Sequence, residues 1–144
     1  MIKEIISCVA GTLFFAVTMK APKNTLMYIF AGSIITTVIE RVLNSFFGDL
    51  TACFLAMLCL VLYCELVARI LKIPVTVVLM PSTIPLLPGS SIYYTMLYAI
   101  GSDADKALQY AKATVASGLG IALGAIVSSI LIKLTIALKN DIKR

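Results

Sequence analysis

The residues best placed to do chemistry lie in one stretch, Pro81-Ser82-Thr83-Ile84-Pro85-Leu86-Leu87-Pro88-Gly89-Ser90-Ser91-Ile92-Tyr93-Tyr94. Its prolines fall at spacings of four and three. Each lacks a backbone donor and presses on the carbonyl four residues earlier, so groups near Val77, Pro81 and Ile84 lose their helical partners. Pro88-Gly89-Ser90-Ser91 then reads as the start of a new half-helix, because proline suits a first turn. The N–H groups at such a start carry the positive end of the helix dipole and favour anions such as carboxylates. Tyr93 and Tyr94, with Tyr98, add an apolar wall that carries hydroxyls. The competing reading is a kinked helix with an aromatic belt at the outer interface. The chemistry implied is non-covalent recognition of a small carboxylate, with Pro85, Pro88, Gly89, Ser90, Ser91, Tyr93 and Tyr94 as candidate residues.

Covalent and metal chemistry find little support. There is no histidine, and the four cysteines, Cys8, Cys53, Cys59 and Cys64, form no Cys-x-x-Cys pair and sit in apolar runs. They read as small apolar residues rather than zinc ligands or a disulfide framework. Ser90 and Ser91 could attack a substrate, but only distant carboxylates could serve them as bases, so an enzyme is not expected. No Gly-x-x-x-x-Gly-Lys-[Ser/Thr] loop occurs; no cofactor is expected, and transport would draw on an ion gradient. The net charge of +5 is twelve Lys and Arg against seven Asp and Glu, with the basic residues scattered between apolar runs. Nucleic-acid binding would need a basic block interleaved with aromatics.

The elements that must position this stretch are hydrophobic helices. Of 144 residues 60% are hydrophobic and 13% charged, where soluble domains run at roughly 45–50% and about 25%. A chain this short cannot hide so much apolar surface from water, and lipid is the natural solvent for the excess. Five apolar runs, 5–19, 26–43, 50–71, 75–100 and 113–138, predict an all-α integral membrane protein. It would form one transmembrane domain over 1–144, a bundle of about five transmembrane helices with the fourth discontinuous at a Pro-x-x-Pro-Gly motif. The first run is short for about 30 Å of hydrocarbon. It has the outline of a signal peptide but lacks a convincing small-x-small cleavage site, and it reads as a span. With the N-terminus outside, Lys20, Lys23, Arg69, Lys72, Lys139, Lys143 and Arg144 fall inside. Lys3, Lys106 and Lys112, with Arg41 near a span end, fall outside together with Glu4, Glu40, Asp49, Asp103 and Asp105, so the positive-inside rule favours N-out, C-in.

Two helix faces say more. In the second run Ser33, Thr36, Thr37, Glu40, Arg41 and Asn44 recur on one side. Polar groups are costly in lipid, so this side faces protein or water. Either it lines a pathway, or it makes a helix contact with Glu40 and Arg41 at headgroup level. In the fifth run Ala116, Gly120, Gly124 and Ser128 form a row of small residues that predicts close helix packing. Glu65 and Arg69 can pair along their helix, as an anchor or a functional pair. Ser102-Asp103-Ala104-Asp105 has the form of a capping box with Ser102 as the cap.

The pattern Pro85-x-x-Pro88-Gly89-x-x-x-Tyr93-x-x-Met96, preceded by a span ending in Arg69, resembles the threonine/serine exporter (ThrE) family. Its small, separately encoded YjjB-type subunit is the nearest likeness. Phe15-Ala16-Val17 leading to Ala21-Pro22, and Gly32-Ser33-Ile34, resemble that subunit's first two spans, so the likeness covers nearly the whole chain. The resemblance implies a bacterial inner-membrane exporter of small carboxylates, threonine and serine in one branch and succinate in another. It also implies a larger ThrE/YjjP-like membrane subunit as partner, with a homo-oligomer as a further option. Pro85, Pro88, Gly89 and Tyr93 carry over by matching the motif, whereas Glu40 and Arg41 match no family position and Pro81 is extra to it. The competing expectation is an accessory subunit that stabilises a partner channel without transporting.

Overall fold

The computed structural model describes residues 2–142, with side chains for 7–22 and 24–135. The side chains of Lys3, Glu4, Lys23 and Lys139, and all of Lys143 and Arg144, lie outside the described residues. The chain forms α1 (Ile2–Thr18), α2 (Lys23–Phe47), α3 (Asp49–Leu71), α4 (Val75–Ser82), a single 3₁₀ turn (Ile84–Leu86), α5 (Gly89–Ile100) and α6 (Ala104–Ile142). Three helices, over Asn24–Phe47, Asp49–Leu71 and Ala104–Thr135, are long and apolar enough to cross a membrane. α4, the 3₁₀ turn and α5 make a fourth if taken as one element bent by 45°, while α1 is a shorter apolar helix. A count of five therefore depends on α1 and on the bent pair.

Helix ends explain how the apolar runs turn back on themselves. After α1, Lys20 is left-handed at φ 53° and the N–H of Ala21 donates to the carbonyl of Ala16. After α3, Lys72 is left-handed at φ 54° and the N–H of Ile73 donates to the carbonyl of Ala68. Both are Schellman stops, which satisfy carbonyls that a helix end leaves open. A proline follows each, Pro22 and Pro74, both with ψ 137°, and the next helix starts directly after it. The same stop closes α5, with Ser102 at φ 62° and the N–H of Asp103 donating to the carbonyl of Tyr98.

This last turn corrects the expected cap. Ser102 is consumed as the left-handed end of α5, so Asp103 caps α6, and its carbonyl accepts from the N–H of Ala107 at 3.1 Å. The Asp103 carboxylate accepts from the Lys106 ammonium at 2.8 Å, which holds its carboxyl below the usual range. α6 is also longer than its apolar run, because the polar segment carrying Lys106, Gln109 and Lys112 continues the same helix.

The core lies where α2, α3 and α4 meet the end of α1 and the 3₁₀ turn, with Ala16, Ile29, Leu60, Cys64, Val78 and Leu86 buried. The Tyr63 hydroxyl on α3 donates to the Tyr28 carbonyl on α2 at 3.0 Å. α6 runs parallel to α3 in close approach: Gly120 sits against Leu50 and Cys53, and Gly124 against Phe54 and Met57. Ser117 and Ser128 are buried on the same helix, and Ala116 is half-buried. Outward faces carry Phe14, Met27, Phe46, Leu66 and Ile70, all exposed as a lipid-solvated surface requires.

Candidate transport site at the helix interruption

α4 stops at Ser82 because the prolines withhold donors. The N–H and the hydroxyl of Thr83 both turn back to the carbonyl of Leu79, at 3.0 and 2.7 Å. Leu86 N–H then donates to Thr83 and Leu87 N–H to Ile84, closing the turn that holds Pro85. At Pro88 the backbone takes φ −78° and ψ 53°, and the N–H of Gly89 reaches the carbonyl of Leu87 at 2.8 Å. That is an inverse γ-turn, a natural way to leave one segment and begin another. The carbonyl of Pro88 accepts from Ile92 N–H, and no side chain caps the start of α5.

The two sides of the interruption differ in their surroundings. Pro81, Ser82 and Leu86 are buried, and the 3₁₀ turn touches α1, α2, α3 and α4. Ser82 is fully buried, and its Oγ has no hydrogen-bond partner among the described residues. It faces Gly32 of α2: a Cβ there would lie 3.0 Å from Ser82 Oγ and 3.1 Å from Tyr63 Cε1. The absent side chain is what lets α2, α3 and α4 meet at this depth. Ser33, Thr36 and Thr37 on the same helix are also buried, but each hydroxyl donates to its own helix, to Phe30, Gly32 and Ser33.

α5 has no buried residue and makes its main contacts with α6. Gly89 and Ser90 are exposed, Ser91 is half-buried, and Tyr93 is 62% exposed. Tyr94 stacks near Tyr110 of α6 at 5.2 Å between centroids, and Tyr98 stacks on the same ring at 5.6 Å. Lys106 lies 5.3 Å over the Tyr98 ring.

Glu40 and Arg41 lie elsewhere. Counting along α2, they are about 12 Å beyond the Gly32 contact. Arg41 is exposed and its Nε is 3.7 Å from Glu40 Oε2, while Glu40 is half-buried. Asn44 Nδ2 donates to Asp49 Oδ1 across the α2–α3 turn at 2.8 Å. Sequence reasoning singled out neither the buried, unpartnered Ser82 nor the Asn44–Asp49 bond. Ser82 was detectable as a hydroxyl directly after a proline in an apolar run; Asp49 carried no local signal.

Apolar helices of spanning length, with hydroxyls turned inward and hydrophobic faces turned out, define a multi-pass helical membrane protein. The chain belongs to the threonine/serine exporter (ThrE) family, whose model matches residues 4–131. Membership assigns it to membrane transport. No curated protein and no solved structure matches the chain.

Proposed function

We propose that the chain is a subunit of a secondary exporter for small carboxylates, threonine and serine or a dicarboxylate such as succinate, across the bacterial inner membrane. One observation carries the reading: the helical ladder is interrupted between Ser82 and Gly89, with its first half inside the bundle. Backbone that leaves the helix at membrane depth is tolerated where protein covers it or where it lines a wet cavity. Discontinuous helices of this kind hold substrates in secondary transporters. In this reading the start of α5 (Pro88, Gly89, Ser90, Ser91) meets the carboxylate and Pro85 fixes the turn before it. Tyr93 and Tyr94 form the wall, with Glu40 and Arg41 nearer one end of the pathway.

Exposure of Gly89, Ser90 and Tyr93 is the reason to include a larger membrane partner that closes the site over α5. The same exposure favours the second reading, a non-transporting accessory subunit. Crosslinking of substrate to Tyr93 or Ser90 in the purified complex separates the two. An N-out, C-in orientation is supported by Lys20, Arg69 and Lys72 near the α1–α2 and α3–α4 turns, with Asp49 and Asp103 at the other turns.

A Cβ on Gly89 meets nothing within 4 Å, so Gly89→Val should leave folding and insertion intact. Threonine and serine export should nevertheless be abolished, as it should be in Pro88→Ala. Efflux unchanged from wild type in both variants sinks the site.

A further inference from the structure

The Gly48 turn between α2 and α3 gathers polar groups from three helices. Asn44 of α2 donates to Asp49 of α3 at 2.8 Å, with Glu40 and Arg41 one turn earlier. α6 adds Gln109 and Lys112, both exposed, which line a wide-open surface cavity of about 480 Å³ together with Phe47, Gly48 and Asp49. Asp49 is held by the Asn44 amide, and no ion pair joins it to Lys112 among the described residues. An acid and a base that share a cavity without pairing leave both charges for a ligand that carries both.

The donor inventory fits such a ligand. A carboxylate offers about four acceptor sites, and Asn44 occupies one of those on Asp49. Gln109 can donate to a carboxylate or accept from an ammonium. Leu50, Ala113 and Ala116 give the rest of the wall an apolar character suited to a short side chain. We infer that this cavity is a zwitterion site, in which Asp49 takes the ammonium of an amino acid and Lys112, with Gln109, takes its carboxylate. The arrangement works against a dicarboxylate, whose second carboxylate would meet Asp49 with like charge. The inference rests on the exporter reading and narrows it to amino acids, at a station separate from the interruption.

The test uses the chain purified with its natural associates and reconstituted into vesicles of phosphatidylglycerol, with or without phosphatidylethanolamine. Transport of threonine, its deaminated hydroxy acid and its methyl ester is compared. Wild type should prefer threonine over each analogue by about fivefold, the scale of an exposed charge pair. Asp49→Asn keeps the bond from Asn44, since an amide oxygen still accepts, and should erase only the preference over the hydroxy acid. Lys112→Gln should erase only the preference over the ester, and Lys112→Arg should restore it. Variants that keep both wild-type preferences overturn the site; if Gly89→Val still abolishes export, the exporter reading stands without it. Effects confined to vesicles with phosphatidylethanolamine assign the cavity to a zwitterionic headgroup and overturn the amino-acid assignment. A wild-type complex that moves none of the three solutes overturns the exporter reading and this inference with it.

Discussion

Lysine is an uncommon occupant of the left-handed region, yet Lys20 and Lys72 both stand there, at φ 53° and 54°. A side chain in that region crowds the following carbonyl and costs roughly 1–2 kcal/mol, which glycine avoids. Lys72→Gly should therefore raise stability by about 1 kcal/mol, read as a higher midpoint of thermal unfolding in detergent. A lowered midpoint would mean that the ammonium holds the turn by a contact of its own. Both lysines were legible in the sequence as charges that orient the chain. Their backbone role was not, because residue type alone would place Gly or Asn there. Ser82 and Gly32 were opaque for a related reason: each is small, and its meaning comes from a neighbour fifty residues away.

At the scale of elements, two glycines set α6 against α3. A Cβ on Gly120 would lie 2.5 Å from the Leu50 carbonyl oxygen, and one on Gly124 2.7 Å from that of Phe54. Backbone at these points cannot step aside as a flexible side chain can. On the same helix a Cβ at Gly118 meets nothing within 4 Å. Gly118→Ala should then be neutral or stabilise by up to about 1 kcal/mol through helix propensity. Gly120→Ala should cost about 1–3 kcal/mol, as overpacking does. Paired unfolding curves check the contrast, and equal effects at the two positions would refute it. The every-fourth spacing of Ala116, Gly120, Gly124 and Ser128 marks a helix face in the sequence, but nothing in that spacing names α3 as its neighbour. The pairing of α5 with α6 through Tyr94, Tyr98 and Tyr110 was hidden too, since Tyr110 sits in the polar first turns of the last helix, where nothing in the sequence names α5 as its neighbour. Prolines were the most legible feature, because a missing N–H acts in any context.

On the scale of the whole molecule, α6 begins well before its close backbone approach to α3 at Gly120. Between Ala104 and Gly120 lies about 24 Å of helix, and α5 packs on it at Tyr110. Basic turns at one end and acidic ones at the other give the orientation a direct test. A membrane-impermeant maleimide should label Lys72→Cys only from the cytoplasmic side and Ser102→Cys only from outside. The reverse pattern would sink the N-out, C-in reading. The two matching turns, Lys20-Ala21-Pro22 and Lys72-Ile73-Pro74, also bear on biosynthesis. Neither leaves a hydrophilic length that an insertion machine could thread on its own. In the N-out, C-in reading each helix would enter lipid folded back on its successor, α1 with α2 and α3 with α4, with the lysine at the bend on the ribosome's side of the membrane. The stop signal that ends a helix would then act, during synthesis, as the hinge on which the pair goes in.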